Sequence, residues 1–321
     1  MKTLILSKSD VLELINMKLV LEEVEKAFKE MIAGKAKMPP KSYISLEKGD
    51  FRAMPAALEN ASGVKWVNVH PSNDIYNLPT VMALIIYNDP ETGYPLAVMD
   101  ASEITAYRTG ATSALASRCL SSPKASCLGL VGAGRQAYTQ LQAHLELFTL
   151  ERIKVFDIDK KRAQKLLESF PGLPISTAPI EEVCASEIVC TTTPAMHPVV
   201  KYHWIKEGAH INAVGADAPG KQELETGIIR NARVIVDDYE QSSAAGEINV
   251  PIQKGEYSIE NISATLGDCI TGRKQARLND SDITIFDSTG IAIEDIAVAR
   301  AIYNMAIEKE PGRYHEFDFL S

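Results

Sequence analysis

Cys127-Leu128-Gly129-Leu130-Val131-Gly132-Ala133-Gly134-Arg135-Gln136-Ala137 sets the architecture of this chain. The apolar run Leu128 to Val131 reads as a short buried strand. It ends in Gly132-Ala133-Gly134, and a helix-like run from Gln136 to Phe148 follows. This is the G-x-G-x-x-A form of the dinucleotide-binding turn. Gly132 permits the tight turn, Gly134 the approach of a pyrophosphate, and small Ala137 close packing of helix on strand. The pyrophosphate would rest on the unpaired N–H groups at the helix N-terminus. A second apolar run, Ile153 to Phe156, ends at Asp157, 23 residues after Gly134. A carboxylate at that point accepts hydrogen bonds from an adenosine ribose and repels a 2′-phosphate, which favours NAD over NADP. Lys160, Lys161 and Arg162 lie close by and leave some NADP use open.

With 321 residues the chain is long enough for two domains, each with its own core. A formal charge of −9 argues against nucleic-acid binding, which needs a concentrated basic face. No apolar run approaches the roughly 18 residues of a membrane span, and the N-terminus lacks the features of a signal peptide. The five cysteines are scattered and contain no C-x-x-C. Disulfides and structural zinc are therefore not expected, and a cytoplasmic protein is. The six histidines show no metal-ligand spacing, and no metal site is expected.

Leu19, Val20, Val24, Phe28, Met31 and Ile32 recur at helical spacing, and Gly34 ends that helix. The texture then changes. Ser42 to Leu46, Phe51 to Pro55, Val64 to Val69, Val81 to Tyr87 and Pro95 to Met99 are short, apolar or β-branched, and separated by turn signals. They predict an antiparallel meander. Its edges need cover, which a two-fold partner would provide, so a homodimer through this sheet is expected. Ala106 to Leu120 is a small-residue helix leading into the glycine turn. Beyond it strands and helices alternate to about residue 287, with further strands at Ile188 to Thr191, Ile211 to Val214, Val234 to Val236 and Ile283 to Phe286. That describes a parallel, doubly wound sheet. A last helix, Ala292 to Met305, is expected to pack back on the first domain. The fold class is α/β: a Rossmann dinucleotide-binding domain, 116–293, inserted in an α+β domain with an antiparallel sheet, 1–115 and 294–321.

Four cations sit in otherwise apolar or small-residue surroundings: Lys41, Arg52, Lys65 and Arg108. A lone strand lysine is usually edge protection or a snorkelling side chain. Four beside a dinucleotide motif invite a second reading, convergence on an anionic substrate, with arginine binding a carboxylate through two parallel bonds. A desolvated lysine there would have a lowered pKa suited to proton transfer. Val214-Gly215-Ala216-Asp217, Asp287-Ser288-Thr289-Gly290 and Thr191-Thr192-Thr193-Pro194 all follow strands, where loops meet ligands. His70 reads as structural, and Ser113 and Ser117 have no evident base partner.

Taken together, these motifs resemble the ornithine cyclodeaminase/μ-crystallin family over nearly the whole chain. The matching pieces are Arg52 to Ala56, Gly63-Val64-Lys65, Asp100 to Ala111, Gly132 to Ala137, Gly215 to Leu224, and Asp287 to Gly290 with Glu294-Asp295. The resemblance implies a homodimer, bound NAD and a small-molecule substrate. Lys65 matches the family's catalytic lysine. Lys41 and Arg52 would take the substrate carboxylate, and Asp217 would handle the substrate amine or the attacking water. The residues expected at the cofactor are Thr80, Arg108, Thr109, Gly132, Gly134, Arg135, Gln136, Asp157, Ile158, Asp159, Thr193, Val214, Gly215, Ala216 and Ser288. Arg108 would touch either cofactor or substrate carboxylate. Arg52 stands where the cyclodeaminases carry an acidic residue, which suits a substrate with only an α-amino group. The implied reaction is reversible NAD-dependent oxidative deamination of a small L-amino acid, L-alanine first. The alternatives are ornithine cyclisation with no net NADH, reduction of cyclic imines, and nucleotide-dependent hormone binding without turnover.

Overall fold

The computed structural model describes residues 2–275, 277–309 and 312–318. The C-terminal residues 319–321 that the sequence assigns to the first domain lie outside them. Two compact units are present: Met1–Arg108 with Ile291–Ser321, and Thr109–Gly290. The sequence places the joins at 115/116 and 293/294. The units meet at 108/109 and 290/291, and the helix Ser102–Leu120 contains both 108/109 and 115/116.

The first unit is built on a sheet whose strands are β1 (Thr3–Leu6), β2 (Ser42–Leu46), β3 (Gly49–Leu58), β4 (Ala61–Val69), β5 (Val81–Asn88) and β6 (Pro95–Asp100). Strands β2 to β6 pair consecutively and antiparallel. The sequence reading missed β1, which runs parallel to β6, so the sheet is mixed rather than purely antiparallel. A further strand, His315–Phe317, pairs with β1. Four-residue β1 carries no long alternation to betray it.

Alternation along β3 buries Arg52, Met54, Ala56 and Leu58 and leaves their neighbours partly open. Cross-strand register puts Arg52 opposite Val67, and Met54 opposite Lys65, which faces Ile85 in turn. These residues share the buried face. Helix Ala292–Lys309 packs on it and also lies along helix Met17–Ile32. There Arg300 binds Glu30 and Glu23 across the helix pair. On the opposite face Ile44, Leu46, Trp66, Leu84 and Ile86 each remain 42–53% exposed.

In the second unit the strands β7 (Cys127–Val131), β8 (Arg152–Phe156), β9 (Ile175–Thr177), β10 (Ile188–Thr191), β11 (His210–Ala213), β12 (Arg233–Val236), β13 (Ala264–Thr265) and β14 (Thr284–Asp287) form one sheet. Their order is β13-β12-β14-β11-β10-β7-β8-β9, and every pairing is parallel. The strand order reverses between β7 and β10, and in such sheets ligands bind at the strand C-termini beside that point. The near-continuous apolar runs of β7 and β10 are buried on both faces, as a parallel sheet requires.

A fully buried polar chain runs beneath this sheet. The His144 Nδ1–H meets the Gln140 carbonyl at 2.7 Å, and its Nε2 lies 2.9 Å from Ser117 Oγ. Asn212 donates to Ser117 Oγ at 2.9 Å, and its Oδ1 is 3.2 Å from His210 Nε2. His210 Nδ1 sits 2.9 Å from Thr284 Oγ1. Desolvation lowers His144 to about 4 and His210 to about 3. Both are therefore neutral in the fold, while the unfolded chain takes up protons below about 6.5. Stability is complete above that value and declines as pH falls toward the folded pKa values. Thermal midpoints measured from pH 7 to pH 4.5 should fall steadily, and His210→Gln should flatten the slope even though it lowers the midpoint at pH 7.

Candidate functional site

The glycine turn lies where its spacing predicts. Gly132 follows β7 with φ +98°, and a Cβ there would stand 2.9 Å from Thr192 Oγ1. Both the backbone and the space demand glycine. Gly134 is the N-cap of helix Arg135–Leu147 and puts no side chain over the first N–H groups of that helix. A Cβ on Gly134 would meet nothing within 4 Å, which is the open approach a pyrophosphate needs. Asp157 does more than await a ribose. Its Oδ2 accepts from the Ala133 N–H at 2.7 Å and its Oδ1 from the Asp159 N–H at 2.8 Å. The carboxylate locks the turn to the end of β8 before any ligand arrives. Asp159 caps helix Lys160–Glu168, and Ile158 is 93% exposed. A recess of about 470 Å³ beside the turn is lined by Gly134, Arg135, Tyr138, Arg162 and Lys165, a cationic wall suited to phosphate. The residues present therefore fit a dinucleotide.

The loops after β10 and β11 are held by a residue to which the sequence reading gave no role. Glu223 is fully buried. Its Oε1 accepts from Thr193 N–H and Thr193 Oγ1, both at 2.7 Å. Its Oε2 accepts from Thr191 Oγ1 at 2.6 Å and Gly215 N–H at 2.8 Å. At Gly215 any Cβ would collide with the Thr193 carbonyl oxygen at 2.1 Å. Glu247 in turn accepts from the Glu223 and Leu224 N–H groups. Burial first, and then Glu223 beside it, push Glu247 well above the ordinary carboxylate range. Asp237 performs the same service after β14, accepting from the N–H groups of Thr289 and Gly290 at 2.7 and 2.8 Å. Val214 and Ala216 are buried, and Ser288 donates its N–H to the Ala213 carbonyl. Asp217 is partly open and pairs with Lys221 at 2.6 Å. The helix residue Thr109 is buried and its carbonyl accepts from Ser113 Oγ. Gln136 is half-buried at the start of helix Arg135–Leu147.

In the first unit Arg52 and Lys65 occupy the buried sheet face. Lys65 is 1% exposed, with Nζ 2.6 Å from Asp295 Oδ2 and 3.4 Å from Thr105 Oγ1. Arg108, three residues beyond Thr105 on the same helix face, places Nε 3.1 Å from Asp295 Oδ1 and Nη1 2.8 Å from Glu294 Oε2. Glu294 and Asp295 begin helix Ala292–Lys309, where the helix dipole favours carboxylates. Burial pushes the Lys65 amine down to about 7; Asp295 opposes the shift, while Arg108 and Lys41 add to it. Arg108 loses to burial and gains more from Asp295 and Glu294, so its pKa lies above the ordinary arginine value. Arg52 is buried, forks onto both Asp50 oxygens at 2.6 and 3.1 Å, and lies over the Tyr43 ring. Lys41 is half-buried just before β2. Thr80 is exposed at the entry to β5, where its carbonyl accepts from the His70 N–H. His70 is held by Asn68 and by the edge of Phe51. The sequence motif contained Asp295 and Glu294, but nothing in it marked them as partners of Lys65 and Arg108.

Among the described residues no group of three or more His, Cys, Asp or Glu side chains could hold a metal ion. No helix among them is long and apolar enough to cross a membrane.

Residues 1–310 match the model of the ornithine cyclodeaminase/mu-crystallin family. The chain belongs to that family. It is 48% identical over 319 residues to the alanine dehydrogenase of Archaeoglobus fulgidus, covering 99% of each chain. Among solved structures, this family member superposes on an archaeal alanine dehydrogenase dimer with bound NAD. The TM-score is 0.97 at 47% identity, over 99% of this chain and 100% of the other. It also superposes on Thermococcus litoralis Δ(1)-pyrroline-2-carboxylate reductase in complex with NADH and L-proline. Here the TM-score is 0.91 at 40% identity, over 95% and 98% of the two chains.

In this family member, Glu223→Gln replaces one acceptor oxygen by an NH2 group that must face two donors. Unsatisfied buried groups cost about 1–3 kcal/mol each. The expected result is a lower thermal midpoint together with a dinucleotide affinity weakened by about tenfold or more, read by calorimetric titration with NADH.

Proposed function

We propose that this family member is an NAD-dependent amino-acid dehydrogenase that converts L-alanine and water reversibly to pyruvate and ammonia. The observation that carries the proposal is Lys65: a buried lysine brought near neutrality, on the same sheet face as Arg52. A group poised near the working pH transfers protons in both directions. The 48% identity to an alanine dehydrogenase supports the choice of substrate.

The cofactor is NAD. The glycine turn, the helix N-terminus behind it and Asp157 would hold its pyrophosphate and ribose, with Thr80, Thr109, Arg135, Gln136, Ile158, Asp159, Thr193, Val214, Gly215, Ala216 and Ser288 completing the contacts. When bound it accepts the Cα hydride. Lys41 and Arg52 bind the substrate carboxylate, and Asp50 fixes the plane of the Arg52 fork. Arg108 reaches cofactor or carboxylate from its place beside Asp295. Neutral Lys65 takes a proton from the substrate ammonium, which frees the nitrogen lone pair that assists hydride departure. Asp217 orients the water that adds to the resulting iminium carbon and takes one of its protons, which passes on to solvent; Lys65 returns its proton to the departing nitrogen and takes the remaining hydroxyl proton as the carbonyl forms. A cationic Arg52 beside the site disfavours a substrate with a distal ammonium.

A second reading is reduction of a cyclic imine, favoured by the 40% identity to the pyrroline-2-carboxylate reductase. Absorbance of reduced nicotinamide separates the two. Alanine with NAD should raise it quickly, pyrroline-2-carboxylate with NADH should lower it slowly or not at all, and ornithine should give no NADH-neutral release of ammonia. Lys65→Ala should lower kcat by about 10²- to 10⁴-fold with NADH affinity retained. For alanine oxidation the neutral amine is the active form, so kcat/KM should rise with pH through about 7 in the wild type. Wild-type turnover in Lys65→Ala would remove the basis of the reading.

The open sheet face points to a homodimer. Ile44, Leu46, Trp66, Leu84 and Ile86 form an apolar surface of the kind that a second copy covers. The relative solved with NAD is a dimer. Trp66→Glu combined with Leu84→Glu should convert a dimeric sedimentation coefficient to a monomeric one.

A further inference from the structure

We propose that Asp295 is the positioning residue of this site: one carboxylate oxygen docks the Lys65 amine, the other is clamped by Arg108, and the pair aims the lysine at the substrate nitrogen. The proposal rests on Lys65 being the proton-transfer group. The geometry behind it is specific. Lys65 Nζ lies 2.6 Å from Asp295 Oδ2, and Arg108 Nε lies 3.1 Å from Asp295 Oδ1. Asp295 is 0% exposed, so the carboxylate sits where solvent does not screen it. It cannot turn away, because the start of helix Ala292–Lys309 fixes its backbone and Arg108 holds its second oxygen. Lysine has a long, flexible stem and makes a poor aiming device unless its head is anchored. Asp295 is that anchor.

The charged groups facing Lys65 are Asp295 from helix Ala292–Lys309, Arg108 from helix Ser102–Leu120, and Lys41 from the segment before β2. Glu294 acts on Arg108, through its 2.8 Å contact with Nη1. Across the sheet Lys65 is flanked by uncharged Met54 and Ile85. Burial and two cations press the lysine toward the neutral form, and Asp295 alone among these groups restrains that pressure. The substrate ammonium loses a proton to the Lys65 lone pair, and no other bond changes. The lysine ammonium is then held against Asp295 until its proton passes to the departing ammonia.

The test compares Asp295→Asn, Asp295→Glu and Lys65→Ala. The asparagine variant keeps the size and removes the charge, so the Lys65 pKa should fall by roughly one unit or more. Two readouts report it: the acid limb of kcat/KM for alanine, and direct titration of Lys65 Nζ by NMR on protein labelled with 15N-lysine. In Asp295→Asn both should move to lower pH, and kcat should fall on the order of 10²-fold with NADH affinity unchanged. Asp295→Glu keeps the charge but moves the anchor. Its Lys65 should titrate within about half a unit of the wild type while kcat still drops about tenfold or more; this arm stands by itself if the asparagine variant does not fold. An unmoved Lys65 titration in folded Asp295→Asn, or wild-type kcat in Asp295→Glu, would overturn the proposal while an inactive Lys65→Ala leaves the functional reading standing. Full turnover in Lys65→Ala would overturn both.

Discussion

The burial of Lys65 against Asp295 is the interaction on which the first unit depends. An ammonium removed from water costs several kcal/mol, and a carboxylate costs a similar amount. The fold offsets the two charges against each other and against Arg108 and Glu294, all within reach of two helix segments and one strand. Removing any member leaves a stranded charge, which is more damaging than never having built the cluster. Such an arrangement is a poor way to gain stability. It is a good way to keep a lysine near its neutral point, and that is where it stands.

The second unit solves a different problem with similar means. Loops that follow parallel strands carry backbone N–H groups that must find acceptors once water is excluded. Here carboxylates serve: half-buried Asp157 at the glycine turn, and fully buried Glu223 after β10 and β11 and Asp237 after β14. Each ionised carboxylate offers two oxygens and several lone pairs, more than any neutral side chain. Among the described residues these three are bound chiefly to backbone and hydroxyl donors rather than to cations. The ligand-facing loops are thereby set before a dinucleotide arrives, which lowers the ordering cost of binding.

Much of this was legible because local chemistry dictated it. Gly132 and Gly134, the apolar run before them and Asp157 after them could be read as a turn because backbone conformation and spacing leave few alternatives. The meander was legible from alternation, and Lys65 stood out as a charge in an apolar strand. What could not be read depended on distant parts of the chain. β1 and β13 are too short to show a period. Asp295 lies 230 positions after Lys65, and only the tertiary fold joins them. Glu223 and Asp237 look like ordinary loop acids, since an acidic residue in a loop is usually solvated. Their burial follows from packing that no local pattern encodes.

The polar chain under the parallel sheet has a sense of direction. With the Asn212 amide donating to Ser117, the His210 Nε2–H faces Asn212 Oδ1, and Ser117 gives its proton to His144, whose other nitrogen is already spent on the Gln140 carbonyl, while the Thr284 hydroxyl stands between His210 Nδ1 and the Leu120 carbonyl. Each imidazole is thus held in one tautomer by its own partners, and the Asn212 amide, accepting on one side and donating on the other, lies between them. The unit therefore fixes where its buried protons lie without placing a charge on either ring, and Asn212 is the link that both halves share.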